Sequence, residues 1–197
     1  MEEHQVTVDG KTYLLQRPFM VIATQNPIEM EGTYPLPEAQ RDRFTARIAM
    51  GYPDARAELE MLNLHSASDP LEVLQPVSDA ETVRRLIAGV RQVYVAEPVR
   101  VYAINLVNAT REAPELRLGA SPRASLHLLR TARAMAALEG REYVLPDDLQ
   151  SLAVPVLAHR LIPTTEAQLA RRTTDAIISD LIHRLPVPQI RPDGRKR

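Results

Sequence analysis

Three residues in this chain of 197 have types and positions suited to work on a phosphate or another anion. Asn26 closes Ala23-Thr24-Gln25-Asn26-Pro27, directly after the apolar run Phe19-Met20-Val21-Ile22-Ala23-Thr24. At the carboxyl end of a buried strand, where open α/β sheets take their ligands, an amide can orient a water or contact a phosphate. An ordinary Asn-Pro turn residue fits the same position. Arg43 stands in Arg41-Asp42-Arg43-Phe44, at the end of a short helix. Its guanidinium is planar, always charged and matched to phosphate oxygens. A cation at a helix C-terminus is also comfortable with no ligand at all. Arg123 follows Ser121-Pro122, at about the second position of a longer helix. The helix dipole disfavours a cation there, although a solvated one loses only a few tenths of a kcal/mol. An anion at that helix start would remove the conflict, because backbone amides and guanidinium would both face it.

Other chemistries find little support. The chain has no cysteine, which excludes disulfides, thiolate metal sites and cysteine nucleophiles. The five histidines include no pair three or four residues apart, which argues against zinc. Gly10-Lys11-Thr12 has the ending of a phosphate-binding loop, but that pattern needs glycine where Gln5 stands. It also lies between two strand-like runs rather than between strand and helix. Gly119-Ala120-Ser121-Pro122 lacks the second glycine of a nucleophile elbow. No carboxylate pair falls at a buried strand end to hold Mg²⁺. Lys plus Arg is 24 and Asp plus Glu is 25, so a broadly basic nucleic-acid coat is excluded. Only Lys11 and Lys196 among the basic residues are lysines. No run approaches 18 apolar residues, and no apolar signal segment opens the chain. A soluble cytoplasmic protein is expected.

The elements that must position these residues fall into two textures. Up to residue 52, short strand-like runs alternate with turns. Gln5 to Val8 and Tyr13 to Leu15 flank Asp9-Gly10, a hairpin signal. Phe19 to Thr24 reads as a strand buried on both faces, as in a parallel sheet. Pro37-Glu38-Ala39-Gln40 opens a short helix, and Phe44 to Met50 reads as a second strand, closed by Gly51-Tyr52-Pro53. From Asp54 the pattern is helical. Asp54 can cap a helix carrying Leu59, Met61 and Leu62, and Ser78-Asp79-Ala80-Glu81 has capping-box spacing before Val83, Leu86, Ile87 and Val90. Further helices are expected over Val99–Ala109, from Ser121-Pro122 to near Gly140, from Pro146 onward, and over Thr165–His183. The tail after Pro188 is expected to fray.

Two strands and a hairpin do not make a stable parallel sheet, and nothing else in the chain offers strand partners. Either residues 1–52 are the end of a larger α/β domain, or a small α+β domain lays its strands on the helices. Texture alone leaves both open.

Taken together, the motifs resemble the second half of the AAA+ core of MoxR-family ATPases. The stretch from Phe19 to Pro53 carries Ala23-Thr24-Gln25-Asn26-Pro27, Glu31-Gly32-Thr33-Tyr34-Pro35-Leu36-Pro37-Glu38-Ala39-Gln40 and Asp42-Arg43-Phe44. The likeness continues through Gly119-Ala120-Ser121-Pro122-Arg123-Ala124, Gly140 to Asp148, and Pro155-Val156-Leu157-Ala158-His159-Arg160. It implies an α/β core remnant of P-loop AAA+ type, with an incomplete sheet and a hairpin, over residues 1–52. An all-α helical lid over 53–188 and a flexible tail over 189–197 would follow.

By that resemblance Asn26 is sensor 1, which positions the attacking water. Arg43 is the arginine finger, given to the neighbouring subunit's nucleotide, and Arg123 is sensor 2. Tyr52 and Pro53 lie at the hinge near the base. The 5–15 hairpin resembles an insertion that faces the central pore in related rings. ATP and Mg²⁺ are the implied cofactors. The implied partners are copies of the chain in a ring, a hexamer being expected, and a von Willebrand factor A domain protein in chaperone-like maturation of protein complexes. The resemblance puts the phosphate-binding loop and the Mg²⁺-holding acids upstream of Met1, so an N-terminally truncated chain, inactive alone, is expected. Arg41 stands where many relatives carry an apolar residue and leaves open whether it shares the role of Arg43. The alternatives are a non-catalytic helical interaction module and, less well supported by the charge, a helical nucleic-acid binder.

Overall fold

The computed structural model describes residues 5–25, 36–65 and 74–188. Asn26 lies outside the described residues. The first element is the expected hairpin: β1 (Gln5–Val8) pairs antiparallel with β2 (Lys11–Leu14), in register Val8↔Lys11. Asp9 at φ 50° and Gly10 at φ 76° make the tight turn, whose left-handed backbone Asp and Gly tolerate best. Gly10-Lys11-Thr12 is therefore a hairpin corner and not a phosphate loop.

The two strands expected over 19–24 and 44–50 are not formed. Residues 19–25 join no ladder, and Met20 and Ile22 face solvent. The reason is the missing neighbours: an apolar run becomes a buried strand only where other strands flank it. Residues 44–47 bond to helices instead, with the Arg47 amide donating to Pro155 O at 2.8 Å.

Helices follow: α1 (Glu38–Arg41), α2 (Ala55–His65), α3 (Ala80–Gln92) and α4 (Glu97–Glu112). Asp54 caps the start of α2, accepting from the Ala57 amide at 2.7 Å. Asp79, one residue later than the expected Ser78, caps α3 by accepting from the Thr82 amide. Next come β3 (Leu116–Leu118), α5 (Pro122–Leu138) and α6 (Pro146–Leu157), which runs into a 3-10 turn at Ala158–Arg160. β4 (Ile162–Pro163) pairs antiparallel with β3, a small ladder with no sequence signal.

The single helix expected over Thr165–His183 is two, α7 (Thr165–Leu169) and α8 (Thr174–Arg184). Arg171 at φ 54° ends the first, and Thr173 caps the second by accepting from the Ala176 amide. Arg172 then pairs with Glu115 at 2.8 Å and with Asp180, which fixes the corner.

The core lies among α4, α5, α6 and α8. Leu106, Leu128, Leu149, Leu157, Ile177 and Ile178 are fully buried there. On α5 the buried positions are Ala124, Leu128, Ala132 and Ala136, one every four residues. Small side chains on that stripe let the neighbouring helices approach closely. Asp148 locks the start of α6, accepting from the Leu145 amide at 2.8 Å and taking both prongs of Arg141 at 2.6 and 2.9 Å. The structure is thus a helical bundle preceded by an incomplete α/β piece.

Candidate functional site

The short helix α1 starts after Pro37, and its last turn delivers Asp42, Arg43 and Phe44 onto the bundle. Arg43 is exposed, and its amide donates to Gln40 O at 3.1 Å. Asp42 reaches the bundle. Each of its carboxylate oxygens lies 3.0 Å from Ser121 Oγ, Oδ1 accepts from Arg160 Nε at 3.1 Å, and Oδ2 is 3.7 Å from Arg123 Nη1. The structure therefore supplies an anion at the start of α5, and it is a carboxylate of the chain itself.

The backbone before α5 is built for this contact. Gly119 sits so close to α4 that a Cβ there would lie 2.6 Å from Arg111 Cα and 2.7 Å from Thr110 O. The Ala120 amide donates to Thr110 Oγ1 at 2.9 Å, and Arg111 Nε donates to Ala120 O at 2.8 Å. Thr110 is wholly buried, and its hydroxyl donates to Val107 O at 2.6 Å. Ser121 occupies the N-cap position but makes no cap bond with its side chain, which goes to Asp42 instead. Between α1 and this loop lies an open cleft of about 570 Å³, lined by Glu38, Asp42, Arg111, Arg117, Ser121 and Arg160 among others.

Arg160 is the buried member, with a side chain only 1% exposed. Desolvation lowers its pKa and the Asp42 carboxylate opposes that, so the guanidinium stays charged. Its neighbour His159 is pushed down to about 4, first by burial and then by the Arg160 charge. A neutral ring fits the geometry: Nε2 accepts from Arg160 Nη1 at 2.7 Å, and Nδ1 has no partner. His127 Nδ1 lies 3.0 Å from Thr45 Oγ1, and burial likewise lowers its pKa.

Of the residues expected from sequence, Arg123 meets Asp42, while Arg43 is the exposed chain neighbour of that carboxylate. Tyr52 is not brought there: it is 96% exposed, and Pro53 beside it is exposed too. Arg41 turns inward, and its buried Nε has no hydrogen-bond partner. Sequence reasoning missed Asp42, Arg160 and Thr110. Asp42 and Arg160 lie within the strings that carried the resemblance, but nothing local marks them as partners 118 residues apart. Among the described residues, no group of three or more histidines and carboxylates could hold a metal ion. No helix among them is long and apolar enough to cross a membrane.

Comparison with known proteins agrees with this architecture. Residues 1–46 match the ATPase family associated with various cellular activities (AAA), and residues 108–181 match the AAA lid domain. The protein YeaC of Bacillus subtilis is 45% identical over 95% of this chain. Chaperone MoxR1 of Mycobacterium tuberculosis is 36% identical over 96% of it. A crystal structure of a Cytophaga hutchinsonii protein, 38% identical, superposes with a TM-score of 0.87 over 95% of this chain and 60% of its own.

In sequence and fold the chain matches the MoxR-family AAA+ ATPases.

It spans 59% of the Bacillus protein and 52% of MoxR1, and corresponds to the C-terminal part of the MoxR fold. In these terms the bundle is the AAA+ lid, and Asp42 joins that lid to the end of the α/β core.

Proposed function

We propose that this chain is the sensing and lid portion of a MoxR-type ATPase that hydrolyses ATP in a ring and uses the cycle to mature partner protein complexes. The observation that supports it most is the shared junction: Arg43, the proposed finger, is next to Asp42, which pairs with Arg123, the proposed sensor 2. Phosphoryl transfer needs positioning and charge stabilisation more than covalent chemistry, and an arginine finger supplies roughly 10³ to 10⁵ in rate. Arg43 is exposed at the tip of its turn, as a group given to a neighbouring subunit must be. Arg123 and the amides at the start of α5 suit the polyphosphate of ATP, whose Mg²⁺ neutralises charge during transfer. Asn26 would orient the water, and Tyr52 and Pro53 would border the base at the hinge between core and lid. The proposed domains are residues 1–52 for the core part, 53–188 for the lid and 189–197 for the tail. A hexameric ring, a von Willebrand factor A domain partner and a cytoplasmic setting complete the reading.

The deciding experiment joins residues 1–197 to the phosphate-binding half that full-length family members possess. Arg43→Ala there should abolish hydrolysis while ATP binding, followed with a fluorescent nucleotide, is largely spared. Persistent hydrolysis would sink the finger assignment. The 197-residue chain alone should neither bind ATP tightly nor turn it over. Turnover by that chain, with contaminants excluded, would refute the division of labour.

A further inference from the structure

Arg160 spends all five of its N–H groups inside the protein. Nε donates to Asp42 Oδ1, Nη1 to Val156 O at 2.5 Å and to His159 Nε2, and Nη2 to Asp42 O at 3.2 Å and Phe44 O at 2.6 Å. Two of those acceptors are the carbonyls on either side of Arg43. A lid residue thus grips the backbone that carries the finger, and the rigid guanidinium fork allows it little play. The side chain of Asp42 then reaches from the same turn to Ser121 and Arg123 at the start of α5.

We infer that Arg160 and Asp42 are a positioning pair that makes the reach of Arg43 depend on the nucleotide sensed by Arg123 in the same subunit. The inference rests on the roles proposed above for these two arginines. A phosphate arriving at Arg123 competes with the Asp42 carboxylate, because both are anions at one cationic helix start. Loss of that contact releases Asp42 from the start of α5, so residues 42–44 are then held by Arg160 alone and the turn that carries Arg43 follows the end of α6. Each subunit then passes the state of its own site to the finger it offers the next. Differential contacts in the two states are what such coupling requires.

Mixed rings test this, in the assembled protein that includes the phosphate-binding half. Asp42→Asn should lower kcat roughly 10- to 100-fold, the cost of misplacing a group by about an ångström. Its affinity for ATP should be unchanged or tighter, since Arg123 loses a competitor. Subunits with Asp42→Asn keep an intact nucleotide site but offer a poor finger. Subunits with Asn26→Ala have the reverse defect. Mixing the two should restore activity well above the sum of the separate preparations. Absence of restoration, or a weakened ATP affinity in Asp42→Asn, overturns the inference. If Asp42→Asn lowers the melting temperature of the lid, Arg160→Lys and Ser121→Ala take the same mixing test, with the same outcomes counting for and against. Activity lost in Arg43→Ala but kept in Asp42→Asn refutes only this pairing. Activity kept in both removes the proposed function as well.

Discussion

The residues before Val93 and those after it use apolar side chains in opposite ways. Among the described residues, none before Val93 is buried, and the whole core from Val93 to Ile178 belongs to the bundle. Met50 is 92% exposed, and Leu59, Leu62, Leu86 and Ile87 are exposed on their helices. The difference is one of available partners. α4, α5, α6 and α8 can close a core among themselves, whereas two extended runs and a hairpin cannot make a sheet. The front part is held to the bundle through residues 42–47, by part-buried and exposed polar contacts with Ala46 packed on the core, and through α3, which lies against α5.

The largest test of that contrast is a pair of truncations. Leu128→Ala, inside the bundle, should cost about 2–5 kcal/mol in denaturant unfolding, the usual price of a large core deletion. Leu62→Ala on α2 should stay within about 0.5 kcal/mol, as for a surface change. Equal losses would mean that the front part shares the core after all.

Acid should act next most strongly, and at the junction. His159 is held neutral in the fold, with its pKa near 4 against an ordinary 6.5. Above 6.5 neither folded nor unfolded chain carries that proton. Below it the unfolded chain binds a proton that the folded one refuses, so stability falls with pH until about 4 and then levels. The slope approaches about 1.4 kcal/mol per pH unit, for a total of at most roughly 3 kcal/mol. His127, lowered in the same direction, adds to it. The Asp180 carboxylate, lowered by its bond to Arg172, gives up its share only as pH falls below its ordinary 3.8, outside this window. Urea melts of the parent and of His159→Gln between pH 7 and 4 should therefore converge as the pH drops. Parallel curves would show that His159 is not the group refusing the proton.

Much of the bundle was legible because its signals are local. Proline at helix starts, Asp54 before α2 and the apolar spacing on α4 each bias a few adjacent residues. The break between α7 and α8 was not legible, since it depends on Arg171 taking a left-handed backbone and on Arg172 reaching Glu115. The strands over 19–24 and 44–50 failed for a related reason: periodicity reports which side chains want burial, not whether partners are present. Of the site, the helix-end positions of Arg43 and Arg123 were legible, since both follow from local helix signals. The carboxylate that Arg123 meets was not legible, because Asp42 is 81 positions away.

Gly119 should show a smaller effect than the core deletion, and a local one. Gly119→Ala drives a methyl into the backbone of α4 and should cost about 1–3 kcal/mol by overpacking. The start of α5 should shift with it, visible as chemical-shift changes at Ala120 and Ser121. A silent substitution would mean that the loop has slack the structure does not suggest.

The smallest effect returns to the front part. Asp54→Ala removes the acceptor for the Ala57 amide, a loss of about 1 kcal/mol to the helix itself. α2 has 11 residues, too few to persist alone in water, and none of its described side chains is buried. Its stability therefore has little behind it except the cap. Hydrogen exchange in residues 55–65 should accelerate several-fold in Asp54→Ala, while the melting temperature of the bundle stays put. In Thr173→Ala the same kind of loss, at the cap of α8, should lower the global melt, because Ile177 and Ile178 tie that helix to the core. If both caps moved the global melt alike, α2 would be part of the cooperative unit, and the boundary at Val93 would be wrong.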